Sequence, residues 1–251
     1  MKHYYFLSGL PRSGSTLLQS ILSENPKFHC EGNSPLMTYL RAMHFAVSQQ
    51  ATEQLAANQK FQIAHNIVKS IPDLYYANTG RSIILDKSRA WTNTQNVNII
   101  KQYITPNPKL IVMVRPIEEI LISFANMYQK NKRVDYSLNA MLVRGTDPIM
   151  QAYECLQMAI RDSPQHCIFI TYDYFINNPE ETMDAIYRFL ELEPFKHDFT
   201  NIQNRYKEND SVYGLTGLHE VRKEISRNKY DIELSQDIID FCKNLNKKIG
   251  L

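Results

Sequence analysis

The apolar run Tyr4 to Leu7 passes directly into Gly9-Leu10-Pro11-Arg12-Ser13-Gly14-Ser15-Thr16, after which Leu17, Leu18, Ile21 and Leu22 recur at helical spacing. A strand, a glycine-flanked turn and a helix in immediate succession constrain the fold more than any other stretch of the chain. They predict a phosphate loop at the end of a buried strand. Successive N–H groups of residues 13 to 16, with the positive end of the following helix, make a nest for an anionic oxygen cluster. Gly9, Gly14 and Thr16 fit the nucleotide-triphosphate pattern G-x-x-x-x-G-K-[ST], but Ser15 stands at the lysine position. The cation has moved into the loop as Arg12, whose planar, permanently charged fork suits a bidentate grip on a terminal phosphate-like group. The anion expected here is not ATP.

Three further short apolar runs, Ser82 to Leu85, Leu110 to Val114 and Ile168 to Thr171, alternate with helical patterns. That alternation predicts an α/β fold with a parallel sheet flanked by helices, over one domain spanning residues 1–251. Ile117, Ile120, Leu121, Phe124 and Tyr128 line one helical face after Arg115-Pro116. Asn178-Pro179-Glu180-Glu181 reads as a helix start, and Ser235 precedes an amphipathic C-terminal helix. Residues 36 to 81, rich in alanine, glutamine and methionine with turn signals near Pro72 and Gly80, read as inserted helices over the mouth of the loop. Residues 204 to 229 mix glycines, polar residues and the cations Arg222, Lys223, Arg227 and Lys229, the composition of an ordered loop near a ligand.

Composition bounds the remaining classes. A net charge of +2 over 251 residues is too mild for a nucleic-acid surface. Cys30, Cys155, Cys167 and Cys242 lack the spacing of a zinc site or a disulfide framework, so reduced thiols in a cytoplasm are expected. No run approaches the roughly 18 apolar residues of a membrane span, and no signal peptide or membrane anchor is read.

Pro11-Arg12-Ser13-Gly14-Ser15-Thr16-Leu17-Leu18 resembles the 5′-phosphosulfate loop of sulfotransferases that use 3′-phosphoadenosine 5′-phosphosulfate (PAPS), with tyrosylprotein sulfotransferases the nearest branch. The family's second signature, a strand ending in arginine with a serine eight residues on for the 3′-phosphate, is matched by Val112-Met113-Val114-Arg115 and Ser123. Eight residues bring Ser123 two turns along its helix and back toward Arg115. The resemblance implies that Lys87 contacts the sulfuryl group and its leaving phosphate oxygen, where a fixed cation favours the transition state. It also implies that Tyr172 lies near the adenine and that the segment Gly214 to Lys223 closes over the nucleotide, with Arg222 or Lys223 on phosphate. The cosubstrate would then be PAPS, with no metal, and the acceptor a hydroxyl or amine of a small molecule or peptide. Residues 36 to 81 and 130 to 165 have no counterpart in the resemblance.

The general base is where the chain departs from the family. The tyrosylprotein branch has a glutamate within Cys-Gly-Glu-Glu, whereas this chain reads Cys30-Glu31-Gly32-Asn33, which puts Asn33 at the catalytic register. Glu31, in a loop, is the carboxylate expected to serve; His44 and His65 rank lower. Arg89 reads either as a contact to cofactor or acceptor or as a surface cation, and Trp91 either as a pocket wall or as a core aromatic. Two other functions stay open. Asp86, ending an apolar strand, resembles the magnesium-holding carboxylate of a phosphate-loop kinase that uses ATP, and Asn33 leaves room for a nucleotide-binding module without catalysis.

Overall fold

The computed structural model describes residues 2–133, 136–143, 148–227 and 230–251. Five parallel strands form one sheet: β1 (His3–Gly9), β2 (Phe28–Asn33), β3 (Ile83–Lys87), β4 (Leu110–Val114) and β5 (Cys167–Thr171), in the order β2-β3-β1-β4-β5. The chain leaves β1 for one side of the sheet and later crosses to the other at β4. The carboxyl end of β1 therefore borders the point where the crossovers diverge, the usual ligand crevice of an open α/β sheet.

The central strands β3 and β4, and β1 from Phe6 on, are buried on both faces, which is why they read as apolar runs. Phe6, Ile84 and Val112 face one core, against Val68, Ile100, Leu121 and Leu156. Those partners come from helices α4 (Phe61–Tyr75), α5 (Thr94–Tyr103), α6 (Ile117–Lys130) and α7 (Pro148–Asp162), a layer that also holds α2 (Leu36–Phe45) and α10 (Gln236–Lys247). Leu7, Leu85, Ile111 and Met113 face the opposite core, against Leu18 of α1 (Ser15–Leu22), Phe175 of α8 (Tyr172–Asn177) and Ile186 of α9 (Pro179–Leu190). Each such side chain, fully buried, contributes about 1.5–3 kcal/mol. A short α3 (Thr52–Ala57) completes the inserted helices after a π-helical turn at Ala46–Gln50.

The structure departs from the sequence reading in two places. Glu31 belongs to the edge strand β2, not to a loop; only Phe28, His29 and Cys30 of that strand are buried, and its pairing with β3 slips between Cys30 and Asn33. Pro72 lies inside α4 and marks no turn, and the chain reverses later, at Gly80 with φ of 63°. Among the described residues no helix is long and apolar enough to cross a membrane.

Candidate active site

The loop between β1 and α1 takes its shape from positions where the backbone is left-handed. Gly9 has φ of 129°, and a Cβ there would fall 2.1 Å from the Met113 carbonyl oxygen, so a side chain would force β1 and β4 apart. Gly14 has φ of 89°, and its Cβ would meet the Tyr172 ring at 2.8 Å. Arg12 itself adopts φ of 58°, a conformation disfavoured for a residue with a side chain. The Ser13 hydroxyl donates to the Leu10 carbonyl at 2.6 Å and is fully buried, so it pins the turn and does not face a ligand.

Above the loop lies a cleft of about 770 Å³, within the range of small-molecule sites. Pro11, Arg12, Gly14, Ser15 and Thr16 line its floor, Arg115, Ser123 and Tyr172 stand at one end, and Asn33, Lys87, Ser88 and Arg89 at the other. The structure thus brings most of the sequence-derived site residues to one cavity. Arg12 Nε donates to Ser123 Oγ at 3.1 Å, and its Nη1 donates to the Leu218 carbonyl. Arg115 Nη1 donates to the Arg12 carbonyl at 2.9 Å, its Nε pairs with Glu119 at 3.0 Å, and its guanidinium lies 4.1 Å from the centre of the Tyr172 ring. Burial lowers the pKa of Arg12. Its hydrogen bonds among the described residues go to neutral acceptors, the state of a cation held ready for an anion.

Adjacent residues of β3 separate two chemistries because a strand alternates its faces. Lys87 shares the face of Leu85 and reaches the start of α1, where Nζ donates to Thr16 Oγ1 at 3.1 Å. It is 6% exposed, and burial lowers its pKa. Asp86 turns to the other face. There its carboxylate accepts from Trp91 Nε1 at 2.7 Å, from the Tyr76 hydroxyl at 2.6 Å and from Ser34 Oγ, and burial raises its pKa. Trp91, with no exposure, is a core aromatic.

Several sequence expectations land elsewhere. Glu31 does not line the cleft; His29 Nε2 lies 3.1 Å from one of its oxygens, the Tyr75 hydroxyl donates to the other, and these bonds, His29's first, lower its pKa. Its neighbour Asn33 does line the cleft. His44 and His65 pack on Tyr103 away from it. Arg222 lies at the cleft edge with Nη1 on Ser226 Oγ, but Lys223 is exposed and outside the lining. Lys229 falls outside the described residues. Arg227, exposed, bridges Glu119 and Asp173 at 2.7 and 3.1 Å. The sequence reading placed residues 204 to 229 near a ligand but did not single out Glu208, which lies against Lys87, or His219 and Asp210 behind it, because the segment has no motif to mark them individually.

A parallel sheet with a phosphate loop at the end of its central strand, cations converging over it, defines the class: a phosphate-loop α/β protein whose cleft is built to suit an anion. The profile described as the Sulfotransferase family matches residues 5–197, and the chain belongs to that family. A Caenorhabditis briggsae protein named as a protein-tyrosine sulfotransferase is 24% identical over 193 residues, covering 75% of this chain and 65% of that protein. Protein-tyrosine sulfotransferase 2 of Gallus gallus is 24% identical over 202 residues, covering 74% of this chain and 50% of that one. The chain thus spans between half and two thirds of the length of these relatives. Among solved structures, the sulfotransferase domain from the curacin biosynthetic pathway superposes with a TM-score of 0.59 at 15% identity, over 100% of this chain and 98% of that one. Retinol dehydratase in complex with androsterone and the inactive cofactor PAP superposes at 0.53 and 12% identity, over 98% and 80%. Both share the fold.

Proposed function

We propose that this protein transfers a sulfuryl group from PAPS to a hydroxyl, with a tyrosyl phenol of a peptide as the first acceptor class to test. The observation that carries the reading is the division of labour at the end of β3, where Lys87 points at the phosphate loop while Asp86 is turned away and saturated by three donors. A kinase needs a strand-end carboxylate aimed at magnesium beside the loop Ser/Thr. Here the group that meets Thr16 is a cation, and cations are what a leaving phosphate oxygen requires.

The residues present fit PAPS. Arg12 and the loop amides would hold the 5′-phosphosulfate, Arg115 and Ser123 the 3′-phosphate, and Lys87 would meet the charge that develops on the leaving oxygen. The Tyr172 ring, already stacked under Arg115, would border the nucleoside. The tyrosyl acceptor follows from the relatives named as protein-tyrosine sulfotransferases.

Thermal stabilisation compares ligands directly, because only a ligand of the native state raises stability. PAP is expected to raise Tm more than ATP with magnesium, and radiolabelled sulfate is expected to pass from PAPS to a tyrosine-containing peptide. Preferential stabilisation by ATP and magnesium would sink the reading in favour of a kinase. Binding of PAP with no sulfate transfer to any phenol, alcohol or amine would leave a nucleotide-binding module.

A further inference from the structure

We infer that Glu208 is the general base that takes the acceptor's proton, an inference that rests on the sulfuryl-transfer reading above. Glu208 Oε1 lies 3.5 Å from Lys87 Nζ and 3.6 Å from His219 Nε2. His219 is itself fixed, with Nδ1 2.6 Å from Asp210 Oδ1 and its backbone N–H donating to the same carboxylate at 3.1 Å. The four side chains are only 7 to 14% exposed. Gly32 makes the approach possible. A Cβ at that position would fall 2.2 Å from Glu208 Cγ and 2.6 Å from Oε1, so the carboxylate lies directly on the backbone of β2, one residue from Asn33.

Glu220 and Glu224 line the cleft without a contact to Lys87, and the carboxylates nearest the strand ends are committed. Asp86 accepts three hydrogen bonds on the far face of β3, and both oxygens of Glu31 are held by His29 and Tyr75. Among the described residues Glu208 is the carboxylate placed against Lys87, and its Oε2 takes no hydrogen bond. The Lys87 contact is longer than the 2.7–2.9 Å of a closed charge-assisted bond. Lys87, His219 and Asn33 line the cleft and Glu208 stands just behind them, so an acceptor hydroxyl that enters between Lys87 and His219 meets the Glu208 carboxylate as the acceptor for its proton.

The step balances without a further reactant. The acceptor oxygen bonds to sulfur, the bond from sulfur to the 5′-phosphate oxygen breaks, and its electron pair stays on that oxygen beside Lys87. The hydroxyl proton goes to Glu208, which returns it to solvent after the products leave.

The test replaces the carboxylate and varies the acidity of the acceptor. Glu208→Gln keeps size and hydrogen bonding but accepts no proton. Its kcat toward a tyrosyl peptide, whose phenol is protonated at neutral pH, is expected to fall about 100-fold or more. Toward 4-nitrophenol at a pH where that phenol is ionised, the loss is expected to shrink to a few-fold. PAP is expected to raise the Tm of the variant as much as that of the unmodified chain. Should Glu208→Gln fail to fold, Glu208→Asp retains a carboxylate one methylene shorter, and an intermediate loss with the same dependence on acceptor acidity supports the assignment. Equal losses with both acceptors overturn it. So does unchanged turnover with stronger stabilisation by PAP, which makes Glu208 a competitor for Lys87, or a loss confined to His219→Asn, which moves the base to the imidazole. An unmodified chain that neither gains stability from PAP nor consumes PAPS brings down the sulfuryl-transfer reading itself. An active chain insensitive to Glu208→Gln removes only the base.

Discussion

The two ends of the cleft are built differently. The end proposed for the nucleotide is made of regular elements and their ends: the turn after β1, Arg115 after β4, Ser123 on α6 and Tyr172 after β5. The end proposed for the acceptor joins Lys87 on β3 to Glu208, and through it to His219 and Asp210, which come from irregular chain more than 100 residues later. On the proposed reading, regular structure fixes the groups that hold the donor, and irregular chain, which also reaches the loop through Leu218, supplies those around the reacting end.

Substitutions that separate the two ends sharpen this contrast. Lys87→Ala is expected to cost the most, about 100- to 1,000-fold in kcat, as for loss of one transition-state donor. Stabilisation by PAP is expected to survive largely intact, and initial rates with saturating PAPS check this. A loss of PAP binding as large as the loss of rate would merge the two ends into one. Arg12→Ala acts in the phosphate loop, where losing a charged hydrogen-bonding group from the 5′-phosphosulfate subsite is expected to weaken PAP by about 10- to 100-fold in Kd by titration calorimetry and to lower kcat as well. Gly32→Ala lies outside the cleft lining but forces the Glu208 side chain to shift from its place beside Lys87. Turnover is expected to fall about 10-fold or less with Kd for PAP unchanged.

The smallest effect is in the pH profile. Burial lowers the Lys87 pKa from 10.5, so kcat/KM is expected to decline on the alkaline side at a lower pH than an ordinary lysine would set. Lys87→Arg should move that limb upward. Stability runs the opposite way. Between the lowered value and 10.5 the unfolded chain binds more protons than the native one, so this residue's contribution to stability increases as pH rises. Equilibrium urea unfolding of the unmodified chain and Lys87→Met across that window isolates this residue's contribution.

The same contrast explains what the sequence disclosed. β1, β3, β4 and β5 were legible because both of their faces are apolar, and the nucleotide end followed because its residues sit at fixed offsets from those strands. β2 was hidden: Phe28-His29-Cys30-Glu31-Gly32-Asn33 carries polar residues on an edge, with neither an apolar run nor clean alternation. Missing it misplaced Glu31, whose carboxylate is engaged by His29 and Tyr75 once the segment is extended. The composition of residues 204 to 229 marked the segment but not Glu208 within it, since that residue's significance lies in a glycine and a lysine far away in the chain.

Arg115 holds the Arg12 carbonyl, and Arg12 in turn holds Ser123, so groups assigned to opposite phosphates of the ligand are one connected assembly. Their contributions to affinity will not add. Each single replacement also loosens the others, and the losses from Arg12, Arg115 and Ser123 taken separately will sum to more than the triple replacement costs. Redirecting this cleft toward a different nucleotide will therefore require concerted changes at all three positions, because no single step leaves an intermediate with one phosphate subsite intact.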